Sequence, residues 1–97
     1  MHVRGFQRMM HRIYFHRDSQ RGKHGTHDRL KEEVDELGEA LEKNDKKALE
    51  NEFADVLAWL ASLANVVKTD LEKATMSKYD NKCPRCRKTT CECPLSR

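Results

Sequence analysis

The sequence predicts an all-α fold: a four-helix-type antiparallel bundle that oligomerises and carries a small C-terminal zinc-binding tail. Apolar residues recur at helical spacing along most of the chain, and no segment alternates apolar and polar residues as a strand does. All four cysteines lie within the last fifteen of the 97 residues. We therefore expect a helical domain over residues 1–80 and a cysteine-rich tail over residues 81–97.

The first two predicted helices are separated by a glycine-containing loop. Residues 3–19 form the first helix, because one face collects Phe6, Met9, Met10, Ile13 and Tyr14. The segment 21–25 reads Arg-Gly-Lys-His-Gly and predicts a loop. Thr26 is then expected to cap a second helix over residues 27–43. The apolar stripe of this second helix consists of Leu30, Val34, Leu37 and Leu41.

The third and fourth helices follow a turn at Asn44-Asp45, which also supplies the next cap. The third helix spans residues 46–67, and twelve of the fifteen positions from 53 to 67 are apolar. A helix that is apolar on nearly all sides must be covered, so we expect a homo-oligomer, either a dimer or a tetramer. Thr69 and Glu72 have the spacing of a capping box, which predicts a short fourth helix ending near Tyr79.

Acidic residues dominate the middle of the chain, between two basic ends. Two pairs with a spacing of three share a helix face: Glu33 with Glu36 on the second predicted helix, and Glu52 with Asp55 on the third. In an antiparallel hairpin that turns at residue 44, Glu33 lies level with Asp55, and Glu36 with Glu52. Four carboxylates this close repel one another unless a cation binds between them, and their oxygens suit Mg²⁺. The alternative is a hairpin whose charges merely face solvent.

The two acidic segments resemble a known signature. Glu32-Glu33-Val34-Asp35-Glu36 and Glu52-Phe53-Ala54-Asp55 are similar to the EExxE and ExxD motifs of the MazG-like nucleotide pyrophosphohydrolases, in the all-α NTP pyrophosphatase superfamily. Over residues 10–80 the chain resembles short archaeal-type members, in which a segment like Phe15 to Thr26 precedes the signature and a cysteine tail can follow. The chain departs from the family pattern at Asp35, commonly glycine, and at His27-Asp28, commonly aromatic.

The resemblance implies a reaction and its residues. A nucleoside triphosphate is hydrolysed between the α and β phosphates, giving a monophosphate and pyrophosphate. The four carboxylates would hold Mg²⁺, with Glu36 as a candidate base for the attacking water. Lys78 falls where the family places a phosphate-contacting lysine, and Asn81 is one position out of register with a family asparagine. Arg17 and Arg21 are further candidates for binding the substrate phosphates.

The cysteines form a C-x2-C-x4-C-x-C cluster made of Cys83, Cys86, Cys91 and Cys93. Four thiolates complete a closed tetrahedral shell, so a structural Zn²⁺ site is the simplest interpretation. The alternatives are free thiols on an unstructured tail or a redox pair, although a redox C-x-x-C motif normally accompanies a strand–helix unit. Zinc would stabilise a tail that is too small to fold unaided.

Other features limit the classes of function. No apolar run is long enough to span a membrane, and the first fifteen residues contain too many Arg and His for a signal peptide. Together with the clustered cysteines, this predicts a cytoplasmic protein without a membrane partner. The alternative to an enzyme is a zinc-tailed helical module that binds nucleic acid or is purely structural. Nucleic acid is the less favoured partner, because no aromatic residue lies between the cysteines to stack on a base.

Overall fold

The fold consists of three helices joined by short connections. The computed structural model describes residues 1–95, and within them the helices are α1 (Val3–Ala40), α2 (Lys46–Val66) and α3 (Leu71–Lys78). No strand occurs among these residues. The all-α prediction is confirmed, with α1 and α2 packed closely against each other.

Helix α1 contains a bend at Gly22, whose backbone has φ 81° and ψ 174°. A straight helix of 38 residues would be about 57 Å long, whereas the longest dimension of the chain is 42 Å. The bend at this residue therefore folds α1 into two segments, 3–21 and 23–40, which correspond to the first two predicted helices. Gly22 suits the position because a side chain disfavours positive φ.

The loop predicted over residues 21–25 is therefore wrong, since only residue 22 leaves the helical conformation. The predicted cap at Thr26 is wrong for the same reason. Thr26 lies inside α1 and is fully buried, with a relative exposure of 0%. The described residues thus form three helices, and the bend at Gly22 divides the first of them into the two segments that were predicted as separate helices.

The connection between α1 and α2 follows the prediction. Helix α1 ends at Ala40, and a turn leads to Asp45, whose side chain accepts a hydrogen bond from the Ala48 backbone N–H at 3.1 Å. This contact satisfies one of the free N–H groups at the start of α2. The hairpin places the C-terminal segment of α1 against the N-terminal half of α2.

A buried glutamine ties the start of α1 to the end of α2. The Gln7 amide nitrogen donates to the Asn65 side-chain oxygen at 3.0 Å and to the Thr69 carbonyl at 2.7 Å. Its amide oxygen accepts from the Leu71 backbone N–H at 2.9 Å. Every polar atom of this buried side chain is therefore used, which fixes the direction in which α3 leaves.

Helix α3 begins with a different cap from the one predicted. Asp70, not Thr69, is the capping residue, and its carboxylate accepts from the Lys73 backbone N–H at 3.0 Å. The predicted capping box is wrong because Glu72 is engaged elsewhere. Its carboxylate accepts from the Arg4 backbone N–H at 3.2 Å and pairs with the Arg4 guanidinium at 3.1 Å.

The single chain buries few large apolar side chains. The buried apolar residues are Met10, Ala40, Ala61 and Ala64. Large apolar residues of the hairpin stay exposed instead, namely Val34, Leu41, Phe53, Leu57 and Leu60. Val34 and Leu41 belong to the apolar stripe of the second predicted helix, whose other members, Leu30 and Leu37, are only half-buried, so this chain fully buries no residue of that stripe. None of the helices in residues 1–95 is both long and apolar enough to span a bilayer.

Candidate functional site

Three glutamates meet where the C-terminal segment of α1 packs against α2. Glu33 and Glu36 are one turn apart on α1, and Glu52 lies in the second turn of α2. Each offers a carboxylate oxygen within 4.8 Å of those of the other two. Glu33 is buried, Glu52 is half-buried and Glu36 is exposed, so the cluster opens to solvent on one side.

Two oxygens of this cluster are buried without a partner. Oε2 of Glu33 and Oε2 of Glu52 accept no hydrogen bond from the residues that the structure describes. The pKa of Glu33 is raised to about 7, mainly by burial. The hydrogen bond and the charge of Glu36 raise it further, as does the charge of Asp55, whereas the charge of Arg29 lowers it. Buried carboxylate oxygens without donors are unfavourable, and a bound cation removes that cost. Adjacent ligands of octahedral Mg²⁺ lie about 2.9 Å apart and opposite ones about 4.2 Å apart, so carboxylate oxygens that all lie within 4.8 Å of one another are compatible with such a site.

Asp55 lies beside this cluster but not within it. It is exposed on α2, although its neighbours in the sequence are mostly apolar. Its carboxylate faces an open cavity between α1 and α2, where solvent reaches it. Its charge nevertheless contributes to the raised pKa of Glu33, so the two side chains are electrostatic neighbours.

A cavity of about 300 Å³ is lined in part by Asp55, the electrostatic neighbour of Glu33. It lies between the N-terminal segment of α1 and α2, and its lining residues are Tyr14, Arg17, Asp18, Arg21, Asp55, Ala58, Trp59 and Ser62. Both arginines that were candidates for binding phosphate, Arg17 and Arg21, are among them. The structure thus places these arginines and Asp55 on the walls of one cavity.

Three residues at or beside this cavity were not singled out from the sequence, namely Asp18, Arg29 and Trp59. Asp18 is 2% exposed, and one of its oxygens accepts from Arg21 at 2.7 Å while the other is buried without a partner among the described residues. The guanidinium carbons of Arg21 and Arg29 lie 4.7 Å and 5.0 Å from the centre of the Trp59 ring. The available signal was spacing: Arg29 precedes Glu33 by four residues, and Trp59 follows Asp55 by four.

The other two predicted substrate residues lie elsewhere. Lys78 ends α3 and lines a separate cavity of about 570 Å³ together with tail residues, including Lys82, Cys83 and Arg85. Asn81 is exposed, with a positive φ of 60°. Within one chain, neither of the two cavities described here contains both Lys78 and the carboxylates.

The four cysteines of the tail converge on one point. Each offers its sulfur within 4.8 Å of the other three, and the Cys83–Cys93 and Cys86–Cys91 sulfurs are 3.8 Å and 4.0 Å apart. Tetrahedral zinc with Zn–S bonds of about 2.3 Å separates its sulfur ligands by about 3.8 Å. The cluster therefore has the dimensions of a four-thiolate metal site.

Backbone N–H groups point at the sulfurs. Those of Cys86 and Arg85 lower the pKa of the Cys83 thiol to about 6. The Glu92 N–H lies 3.4 Å from the Cys86 sulfur, and the pKa of Cys86 is also lowered, by this contact first and by Lys88 next. Donors directed at sulfur stabilise the thiolate form, which is the form that binds metals. The donor set and its spacing thus fit a zinc ion.

Comparison with known proteins gives one match. The family model described as the MazG nucleotide pyrophosphohydrolase domain matches residues 21–87. No curated protein matches the chain. The matched region contains all four carboxylates, both guanidiniums beside Trp59 and the first two cysteines of the tail.

Proposed function

Because the chain belongs to the family of MazG nucleotide pyrophosphohydrolases, we propose that it hydrolyses a nucleoside triphosphate between the α and β phosphates, releasing a monophosphate and pyrophosphate. The observation that supports this proposal best is the cluster of Glu33, Glu36 and Glu52, with two buried oxygens that lack partners. Such a cluster is costly in an empty protein and favourable around a divalent cation.

The carboxylates are the proposed Mg²⁺ ligands. Glu33, Glu36 and Glu52 would hold the ion with their grouped oxygens, and Asp55 would join them from the rim of the cavity. Mg²⁺ bound there would offset the charge of the triphosphate and help to activate a water molecule. Glu36 is our candidate for the base, because it is the exposed member of the cluster and can accept a proton from a water at the open side.

Basic residues are proposed to bind the phosphates. Arg17 and Arg21 line the cavity beside Asp55, so they can reach a triphosphate held at the carboxylates. For Lys78 and Asn81 we propose a role at the site of a second subunit, since they lie apart from the carboxylates of their own chain. The exposed apolar side chains of the hairpin support such an oligomer, a dimer or a tetramer, because a second copy would cover them.

The tail is proposed to be a separate unit that a structural zinc ion stabilises. We assign residues 1–80 to the catalytic helical domain and residues 81–97 to this tail, in which Cys83, Cys86, Cys91 and Cys93 would be the ligands. Four thiolates leave no open coordination position, so the zinc would not take part in catalysis. Cysteines kept reduced for this purpose suit the cytoplasm.

A product analysis tests the proposed reaction. The full chain is incubated with Mg²⁺ and a panel of canonical and modified triphosphates, with phosphoribosyl-ATP included, and the products are separated. Monophosphate and pyrophosphate are expected, whereas diphosphate and phosphate would show cleavage at the wrong bond. Glu36→Gln should lower turnover at least about a hundredfold, while Glu39→Gln, an exposed glutamate on the same helix, should leave it unchanged. If no triphosphate is consumed, the proposed reaction is wrong; if triphosphates are consumed but the two variants are equally active, the role of Glu36 is wrong.

A further inference from the structure

Arg29 lies beside the glutamate cluster although no motif marks it. One guanidinium nitrogen pairs with Glu32 at 2.5 Å, and another lies 3.5 Å from Oε1 of Glu33. The side chain is 46% exposed, so ligands can reach it. The positive charge of Arg29 therefore lies next to the proposed metal ligand Glu33 and is open to solvent.

The contact between Arg29 and Glu33 is too loose to satisfy the buried carboxylate. At 3.5 Å it is at the limit of a hydrogen bond, and the second oxygen of Glu33 has no partner among the described residues. The pairing with Glu32 joins two exposed side chains, and such pairs contribute little to stability. A divalent cation on Glu33 would repel the guanidinium, which would release the nitrogen that contacts Glu33 and leave it free to donate to another anion.

Arg21 is a second guanidinium at the same aromatic ring. Its NH1 group donates to Asp18 at 2.7 Å, whereas its NH2 and Nε groups form no hydrogen bond with the described residues. Both guanidiniums lie within 5.0 Å of the centre of the Trp59 ring. An arginine held against an aromatic ring still has free N–H donors along the edge of its guanidinium group. These paired donors match the paired oxygens of a phosphate.

We propose that Arg29, together with Arg21 on the Trp59 ring, binds the phosphate chain of a triphosphate at the glutamate cluster. Arg29 exchanges its contact with Glu33 for phosphate oxygens when a divalent cation binds that carboxylate. This assignment rests on the proposed function, and it adds Arg29 as a binding residue of the site. The ligand class is a chain of linked phosphates, recognised by charge and paired oxygens rather than by the base.

Trp59 makes the proposal directly measurable, because it is the only tryptophan in the sequence. The full chain is titrated with inorganic tripolyphosphate in the presence of Mg²⁺, and affinity is measured by Trp59 fluorescence and by calorimetry. Arg29→Ala should weaken binding about tenfold or more, the loss expected for hydrogen bonds to a charged group. Arg29→Lys should fall between wild type and Arg29→Ala, because lysine keeps the charge but not the paired donors. Lys31→Ala, an equal change in net charge at an exposed neighbour, should change affinity little.

The outcomes separate this proposal from the proposed reaction. If the wild type hydrolyses triphosphates and Arg29→Ala raises KM and weakens tripolyphosphate binding, both hold. If hydrolysis is seen but Arg29→Ala behaves like Lys31→Ala in affinity and KM, the role of Arg29 is wrong and the reaction stands. Hydrolysis of no triphosphate, with tripolyphosphate binding that still depends on Arg29, would overturn the reaction alone. Unchanged Trp59 fluorescence on saturation would count against the arrangement at the ring.

Discussion

Replacing Glu33 with glutamine removes a carboxyl group whose pKa is raised to about 7, first by burial and then by the neighbouring carboxylates. In the unfolded chain this group titrates near its ordinary value of 4.5. Between these two values the folded state keeps a proton that the unfolded state has lost. Without a divalent cation, the wild-type protein should therefore become less stable as the pH rises through this window, whereas Glu33→Gln should not show this part of the loss.

The size of the effect follows from the shift. Each unit of pKa difference corresponds to about 1.4 kcal/mol, so raising the pH from about 4.5 to about 7 lowers the free energy of unfolding by at most about 3 kcal/mol. Because the charges of Glu33 and Glu36 repel each other, this loss of stability is spread over a wider pH range. Mg²⁺ should restore stability to the wild type above neutral pH and have less effect on Glu33→Gln, because the variant lacks one proposed ligand.

Urea unfolding followed by helical circular dichroism measures both effects, at several pH values from about 5 to about 8. Protein concentration is held constant because oligomers gain stability with concentration. Mg²⁺ is removed by dialysis rather than by a chelator, since a chelator would also take a metal from the cysteines. Parallel pH profiles for the wild type and Glu33→Gln would refute the reasoning, as would equal stabilisation of both by Mg²⁺.

Three further substitutions test other parts of the structure. Gly22→Ala should lower the free energy of unfolding by about 1–2 kcal/mol, because alanine disfavours a φ of 81°. The control Gly38→Ala lies in helical backbone with open space around it and should raise the free energy of unfolding by about 0.5–1 kcal/mol. Equal effects of the two substitutions in thermal unfolding would contradict this prediction. Gln7→Ala should cost about 2 kcal/mol or more by leaving buried groups unpaired, against less than about 0.5 kcal/mol for exposed Gln20→Ala. Cys83→Ser should abolish the binding of one zinc ion per chain, measured by metal analysis, while helical circular dichroism is largely kept; full zinc binding by the variant would exclude the four-thiolate site.

The helices could be predicted because their signals are local. The spacing of apolar residues, which predicted the helices, and the cap at Asp45 depend only on neighbours in the chain. The helical segments and this cap are confirmed. The glycine that interrupts the chain before the second predicted helix was also a local signal. The number of residues that leave the helical conformation there was not. Asp18 and Thr26 are buried on either side of Gly22 and contact the same arginine, so packing keeps the residues next to the glycine helical.

The glutamate cluster was predictable for a different reason. Glu33, Glu36 and Glu52 follow from helix faces and the position of the hairpin turn, which the sequence contains. The exposure of Asp55 could not be predicted, because it depends on how far α1 covers α2. Arg29 was missed because its place beside Trp59 is a contact between two helices, and its spacing of four residues from Glu33 does not by itself show that contact.

The contacts at the start of α1 have a consequence for where the folded unit begins. Arg4 pairs with Asp70 at 2.9 Å and with Glu72, and Gln7 holds the segment that leads into α3. Arg4 and Gln7 precede the family-matched region, which starts at residue 21. A chain shortened to that region would lose the N-terminal segment of α1, the far wall of the cavity and the anchor of α3. In this protein the minimal unit suitable for expression therefore starts at the first helix rather than at the boundary that family comparison suggests.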